Sequence, residues 1–165
     1  MRLHLDKPPA VMGIDPGGVN IGVGVLTFAT EEVLVATQLS LRDVAPSWRV
    51  AWLVKRIAEL FETWRIVSVV IEDFPKTHAP GKTSASASAV RETIGALEAV
   101  CCLANVQVSR IHPTKLKKAV TGNGHASKRQ MQKTVQARLK MKRALCEHEA
   151  DALACAIYCR RQTVQ

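Results

Sequence analysis

The stretch that most constrains the fold is RIVSVVIED, from Arg65 to Asp73, because it is almost continuously apolar. A strand buried on one face alternates apolar and polar side chains, whereas a strand covered on both faces is apolar throughout. We therefore expect this segment to be an inner strand of a sheet that carries helices on both faces. The acid near its end, Glu72, has no packing reason to follow such a run.

The remaining segments surround this strand in an order that is typical of α/β proteins. The runs AVMGID, NIGVGVLTFA and EEVLVATQLSL are joined by short turns, which predicts an antiparallel meander. Apolar spacing predicts helices over PSWRVAWLVKRIAELFETW and SASASAVRETIGALEAVCCLAN. After a fifth strand, VQVSRIHP, come a short basic helix around TKLKKAV, the glycine loop TGNGHAS, a basic helix KRQMQKTVQARLKMK and a closing amphipathic helix EHEADALACAIYCRR. The order predicts an α/β fold with a five-stranded mixed sheet, three antiparallel strands followed by parallel ones, flanked by helices.

The net charge of +9 is distributed unevenly along the 165 residues. No acidic residue lies between Glu98 and Glu147. The basic residues of that span are Arg110, Lys115, Lys117, Lys118, Lys128, Arg129, Lys133, Arg138, Lys140, Lys142 and Arg143. A block of one sign predicts a polyanionic partner whose affinity falls as the salt concentration rises.

Other sequence features indicate the setting of the protein. No apolar run approaches the roughly 20 residues that span a bilayer. The N-terminal MRLHLDKPPAVMG lacks the apolar region of a signal peptide. The five cysteines, an odd number without metal-type spacing, indicate reduced and mostly buried thiols. We therefore expect a single domain over residues 1–165 that acts in the cytoplasm without a membrane contact.

Three acids and a histidine occur at positions that the predicted fold would bring together, as a metal site requires. Asp15 ends the first strand and Glu72 the fourth, so neighbouring strands would bring both to one edge of the sheet. Asp151 borders the apolar face of the last helix, and His148 lies three residues earlier. Buried carboxylates are costly unless they are paired or metal-bound, and Mg²⁺ or Mn²⁺ binds carboxylate oxygens well. Next to a basic surface, this set predicts two-metal hydrolysis of a phosphodiester.

The other acids near this set have simpler interpretations. Glu147 and Glu149 would complement the dipole of the last helix at its N-terminus. Asp73 points to the opposite side of its strand from Glu72, so we expect it to contact solvent or a loop.

Several segments are candidates for contact with the polyanion. The turn PGGVNIG lacks side chains that would keep a nucleic-acid backbone away, and the loop Lys76 to Ser88 follows the Glu72 strand. Lys118 and Lys128 flank the glycine loop and rank highest as phosphate contacts, and Lys118 is also a candidate for stabilising transition-state charge. The full set of basic candidates is Lys115, Lys117, Lys118, Lys128, Arg129 and Lys133.

Four motifs in this order resemble the RuvC family of Holliday-junction resolvases, within the ribonuclease H-like superfamily. GIDPGGVNIGVGV is similar to the first-strand motif, with Asp15 as its acid, and VVIED resembles the second motif, with Glu72 as the glutamate. The segment from Leu116 through Gln130 is similar to the basic pattern V-K-x-x-x-x-G-x-G-x-A-x-K-x-Q. HEADALACAIY resembles the closing motif, with Asp151 as the final acid. The resemblance covers most of the chain.

The resemblance implies a ribonuclease H-like fold and an endonuclease that resolves four-way DNA junctions by paired symmetric nicks. It also implies two Mg²⁺ ions per active site, with Mn²⁺ as a substitute. A homodimer is implied as well, because a two-fold symmetric junction suits one site per subunit. The segments around the motifs are diverged, which is compatible with a phage source and hence with the host cytoplasm. A branch-migration motor is not indicated.

The chain departs from the family pattern at two positions. The residue three before the last acid is often aspartate in the family, whereas here it is His148, which can ligate Mn²⁺ or act as a general base. The family also places an aromatic residue shortly after the glutamate, to stack on an opened base. Phe74 is two residues after Glu72 and precedes Pro75, so base stacking and core packing both remain open for it.

Other functions are compatible with parts of the pattern. A broader nuclease for three-way junctions, flaps or forks would use the same acids, and a junction-binding protein without catalysis would use the same basic surface. Actin-like and sugar-kinase ATPases share D-x-G-x-x-x-x-G but need two such domains. Ribonuclease H-like proteins of the anti-termination or pre-ribosomal RNA type share the first turn but usually lack the acid-free basic segment.

Overall fold

The structure is a computed structural model that describes residues 6–73 and 85–163. Its elements follow the order that the sequence predicts, with a short 3₁₀ turn at Pro46–Trp48 before the first helix. In chain order they are β1 (Pro9–Pro16), β2 (Asn20–Thr27), β3 (Val33–Ser40), α1 (Arg49–Thr63), β4 (Arg65–Glu72), α2 (Ala85–Leu103), β5 (Gln107–Ile111), α3 (Pro113–Thr121), α4 (Lys128–Arg138) and α5 (Glu147–Thr163).

The strands form one mixed sheet in the order β3-β2-β1-β4-β5. β1 pairs antiparallel with β2, and β2 with β3, through the predicted meander. β4 lies parallel to β1, and β5 lies parallel to β4 after the crossover through α2. The predicted five-stranded mixed sheet with flanking helices is therefore confirmed.

The sheet separates two hydrophobic cores, and alternate residues of a strand enter opposite cores. On β4, Val69 and Ile71 pack with α1 and α2, whereas Val70 packs with α3, α4 and α5. All three side chains are buried. The continuous apolar run thus has the cause that we expected, because both faces of β4 are covered.

Helix α5 is buried on nearly all sides, whereas the sequence predicted an amphipathic helix with one exposed face. From Ala150 to Cys159 every residue except Asp151 is buried, because α5 lies against the sheet and is covered by α3 and α4. The surrounded helix resembles the internal helices of larger proteins. Its small alanine and cysteine side chains gave the sequence pattern little contrast between faces.

Glycines on β1 and β2 allow α5 to lie directly on the sheet. A Cβ atom on Gly13 would come within 2.0 Å of the Ala152 carbonyl oxygen, and one on Gly22 within 2.0 Å of the His148 carbonyl oxygen. Gly22 therefore allows β2 and α5 to pack closely. We had expected the glycines of PGGVNIG to allow the approach of DNA. A Cβ on Gly17 would likewise collide with its own turn, 2.0 Å from the Asn20 oxygen, whereas Gly18 alone of the three faces open space.

Two smaller differences from expectation have clear reasons. The basic helix was expected to reach Lys142, but α4 ends at Arg138 because Lys140 adopts a left-handed backbone with φ of 50°. Of the cysteines, Cys102 and Cys146 are exposed, so the expectation of burial holds only for the other three. Across residues 6–73 and 85–163, none of the helices combines the length and apolarity that a bilayer crossing demands.

Candidate active site

Three carboxylates converge at the edge of the sheet where β1 and β4 end. Ile14 and Ile71 are paired in the parallel register of these strands, so the residues that follow them, Asp15 and Glu72, leave the sheet side by side. Asp151 reaches them from the first turns of α5. One carboxylate oxygen from each of the three residues lies within 4.8 Å of the others. The structure therefore brings together the three acids that the sequence singled out.

The environment of Glu72 and Asp151 disfavours the ionised forms of these two acids. Burial, followed by the charges of Asp15 and Asp151, raises the pKa of Glu72 to about 8. Burial and the charges of Asp15 and Glu147 raise the pKa of Asp151 to about 6. Burial and mutual repulsion thus outweigh the nearby positive charge, and a bound cation would offset the repulsion. An all-oxygen donor set of this kind fits Mg²⁺ or Mn²⁺.

His148 contacts the cluster through Asp15. Its Nδ1 lies 2.6 Å from Asp15 Oδ2, a distance at which the ring N–H donates a hydrogen bond to the carboxylate. This hydrogen bond raises the pKa of His148 above its ordinary value. Since Nδ1 is directed at Asp15, His148 orients the first acid, and its role as a metal ligand stays a prediction.

The acids line a cavity of about 280 Å³ that also contains two lysines. The positive charge of Lys117 lowers the pKa of both Glu72 and Asp151, against the stronger effect of burial. Lys128 enters from the start of α4 and forms an ion pair with Glu147. Glu147 is therefore part of the cavity wall, beyond its expected role at the helix dipole.

Lys117, which sequence reasoning ranked below Lys118, is the one of these two lysines that lines the cavity. Lys118 is exposed and is not among the residues that line the cavity, so its proposed action on transition-state charge stays a prediction. The register of the basic motif could have identified the right position. If Leu116 occupies the first position of the pattern, its two lysines are Lys117 and Lys128.

The other basic candidates lie on the outer surface of α3 and α4. Lys115, Arg129 and Lys133 are exposed, and Lys115 Nζ lies 5.8 Å from the centre of the Tyr158 ring. α4 begins with a capping box in which Ser127 and Gln130 exchange hydrogen bonds. The helix start that carries Lys128 and Arg129 is therefore well defined.

Two further acids have partners that explain their positions. Glu149 accepts hydrogen bonds from Arg143 and from the Cys146 N–H, so it secures the beginning of α5. Asp73 lines the same cavity as Glu72 and lies 3.7 Å from Arg110 of β5, whereas we expected it to contact solvent or a loop. Phe74 and most of the predicted substrate-facing loop lie outside the described residues.

Comparison with known proteins places this geometry in a family. The sequence model of "Crossover junction endodeoxyribonuclease RuvC" matches residues 11–159. The protein of that name from Treponema denticola is 34% identical over 153 residues, which cover 90% of this chain and 84% of the relative. The one from Xanthomonas oryzae pv. oryzae is 32% identical and covers 89% of this chain and 84% of the relative. The structure of Thermus thermophilus RuvC in complex with Holliday junction substrate is 29% identical, with a TM-score of 0.79 over 93% of this chain and 96% of that one.

Proposed function

Because this chain belongs to the family of RuvC crossover junction endodeoxyribonucleases, we propose that it resolves four-way DNA junctions by paired symmetric nicks. The observation that carries the proposal is the cluster of Asp15, Glu72 and Asp151, with Lys117 and Lys128 in the same cavity. Hydrolysis of a phosphodiester needs acids and positive charge at one place, and this cavity supplies both. The acid-free surface of α3 and α4 lies beside it.

The three carboxylates would hold two Mg²⁺ ions, with Mn²⁺ as a substitute and His148 as a further ligand. Bound ions of this kind activate a water molecule and stabilise the leaving 3′ oxygen. The close approach of the carboxylate oxygens and the raised pKa of Glu72 and Asp151 support this assignment.

The side chains of the cavity prepare the site for a phosphate. His148 fixes the orientation of the Asp15 carboxylate through its hydrogen bond. The ammonium groups of Lys117 and Lys128 lie at the same cavity and would stabilise negative charge that builds on the scissile phosphate. Glu147 restrains Lys128 at the cavity wall.

The exposed basic side chains would hold the DNA backbone on either side of the cut. These side chains are Lys115, Lys118, Arg129 and Lys133. They would contact phosphates and so give affinity without reading the base sequence. Phe74 is a candidate for stacking on an opened base.

The active unit would be a homodimer of the single domain over residues 1–165. A four-way junction has two-fold symmetry, so two identical subunits present one site to each of two opposite strands. The DNA substrate implies action in the cytoplasm, of a bacterium or of the host of a phage.

The test is cleavage of end-labelled substrates with Mg²⁺, with Mn²⁺ or with EDTA. A mobile four-way junction is compared with linear duplex, a three-way junction and a flap. We expect metal-dependent cutting of the four-way junction above all others. Equal cutting of all branched substrates would instead indicate a broader debranching nuclease, and binding without cutting would indicate a junction-binding protein.

A further inference from the structure

Trp48 is unusually exposed for a large aromatic side chain. It ends the 3₁₀ turn before α1, and 68% of its surface is accessible to solvent. Of the three tryptophans, Trp52 and Trp64 pack against the core between the sheet and α1, whereas Trp48 is absent from that core. Val50, just after it, is also 43% exposed. Exposed apolar side chains that occur next to each other indicate a binding surface.

A second cavity of about 180 Å³ is lined by Pro46 and Arg49, which lie on either side of Trp48 in the chain. The start of α1 contributes Arg49 and Val50, the β1–β2 turn contributes Gly18, and the first turns of α2 contribute Ala89 and Glu92. Arg49 Nε donates to the Val44 carbonyl oxygen at 3.1 Å, which fixes the guanidinium near the cavity. With Arg49 and Glu92 as its charged lining residues, the cavity has little net charge, and apolar side chains form much of its wall.

The second cavity adjoins the cavity of the acids. Ala89 lines the former and Val90, its neighbour in α2, lines the latter. On the opposite side, Gly18 follows Gly17, whose added Cβ would lie 3.2 Å from the His148 ring. Pro16, at the end of β1, lines the cavity of the acids, and Gly18, two residues later, lines the second cavity.

Gly18 leaves the space at the edge of the second cavity open. A Cβ atom on it would meet nothing within 4 Å, so no packing contact requires glycine there. Gly122 is the described glycine with a positive φ, which means that the backbone at Gly18 is also open to other residues. A large side chain at Gly18 would project into open space at the second cavity.

We propose that the second cavity and Trp48 receive the DNA strand where it continues beyond the acid cluster, with Trp48 stacked on an unpaired base. Bases at a branch point expose their faces, and tryptophan offers a large flat surface for stacking that does not depend on sequence. Arg49 would contact a phosphate of the same strand. The low net charge of the cavity makes stacking the main contribution, in contrast to the lysine surface of α3 and α4. This inference rests on the proposed function.

The test measures binding of a four-way junction that carries 2-aminopurine near the branch point, in EDTA so that no cutting occurs. Trp48→Ala should weaken binding about tenfold and abolish the quenching of 2-aminopurine, whereas Trp48→Phe should retain most of both. Leu103→Ala is the matched control, since Leu103 is 81% exposed at the far end of α2. Gly18→Leu should weaken binding with an unchanged melting temperature.

Each alternative result is distinct. If Trp48→Ala binds and quenches like the wild type, the inference is wrong while the proposed function stands. If Trp48→Ala changes the molar mass measured by light scattering, the patch is an interface between subunits and the inference is also wrong. If the wild type itself neither binds nor cuts the junction, the proposed function fails first.

Discussion

At the scale of single residues, the account depends on three carboxylates that crowd one another more than the nearby lysines compensate. Asp15, Glu72 and Asp151 come from two strands and one helix, and their oxygens lie within 4.8 Å. Nothing in the packing of the cores requires such an arrangement, and it costs stability. A cluster that costs stability and lies beside two lysines is typical of a catalytic site.

Replacement of any one of these acids should remove cleavage and spare binding. We expect Asp15→Asn, Glu72→Gln and Asp151→Asn each to slow junction cutting by more than about a hundredfold, because each removes a charge from the reacting site. Binding should persist, since the exposed lysines are intact. Gel-shift and cleavage assays on one junction measure both properties, and wild-type cutting by any of the three variants would refute the site assignment.

Lys117 and Lys118 are neighbours and should differ in effect. Lys117→Ala should lower the cutting rate at saturating DNA by about a hundredfold, because Lys117 lies in the cavity with the acids. Lys118→Ala should chiefly weaken binding, because Lys118 is exposed outside the cavity. Single-turnover rates at saturating enzyme separate the two effects. Equal losses of cutting rate in the two variants would contradict the separate roles that we assign to Lys117 and Lys118.

The metal-free protein should lose stability as the pH rises. The pKa of Glu72 is raised from 4.5 to about 8 in the folded chain, so the folded state holds this proton more tightly than the unfolded state. The free energy of unfolding therefore falls as the pH rises from about 4.5 through about 8. The loss is on the order of 5 kcal/mol, because the pKa rises by about 3.5 units at about 1.4 kcal/mol for each unit of pKa.

Glu72→Gln should remove most of this loss. In EDTA at pH 8 the variant should melt several degrees above the wild type, although it cannot cut. Glu62→Gln, at an exposed position on α1, serves as the control and should leave the pH dependence unchanged. Mg²⁺ should stabilise the wild type at pH 8 and have much less effect on Glu72→Gln. A melting temperature that is independent of pH in the wild type would contradict the cluster described here.

At the scale of elements, the position of α5 decides whether the site exists. Gly13 and Gly22 let the helix backbone lie against β1 and β2, and this closeness brings Asp151 to Asp15. A methyl group at Gly22 would collide with the His148 carbonyl oxygen. Helix and sheet would then have to separate.

Gly22→Ala should therefore be costly to both stability and activity. We expect a loss of about 1 to 3 kcal/mol or more in the free energy of unfolding, together with a slower cut. Gly18→Ala is the matched control in the same turn region, because its added methyl group meets open space. Urea denaturation of both variants makes the comparison. An equal loss of unfolding free energy in the two variants would contradict the close packing of Gly22 against α5 as the reason for glycine at this position.

The sequence predicted these elements unequally. The run at β4 is apolar throughout, so burial on both faces could be inferred, and the order of strands then limited the sheet to few arrangements. The burial of α5 could not be inferred, because alanine and cysteine occur on both covered and exposed faces. The placement of Lys117 at the cavity could be predicted only from the correct alignment of the basic motif. An alignment shifted by one residue selects Lys118 instead.

At the scale of the whole molecule, charge is divided between the two faces of the sheet. The basic helices α3 and α4 cover one face together with α5, while α1 and α2 cover the other. A DNA-binding protein with this division should make most of its phosphate contacts through the basic face and release counterions there.

The dependence of binding on salt should identify that face. Arg129→Ala, at the start of α4, should reduce the slope of log affinity against log salt by about one. Lys55→Ala removes an exposed charge from α1 and should leave the slope unchanged. Titrations of junction binding with NaCl give both slopes. A change with Lys55→Ala that matches the change with Arg129→Ala would show that the phosphate contacts are not concentrated on the basic face.

The central claim is that this cavity makes paired cuts in a four-way junction, and a supercoiled plasmid with an extruded cruciform tests it most directly. Paired nicks in opposite strands convert the plasmid to linear DNA, whereas single unpaired nicks give open circles. We predict linear product with Mg²⁺ for the wild type, and none in EDTA or with Asp151→Asn. Open circles alone, or linear product from Asp151→Asn, would contradict the account.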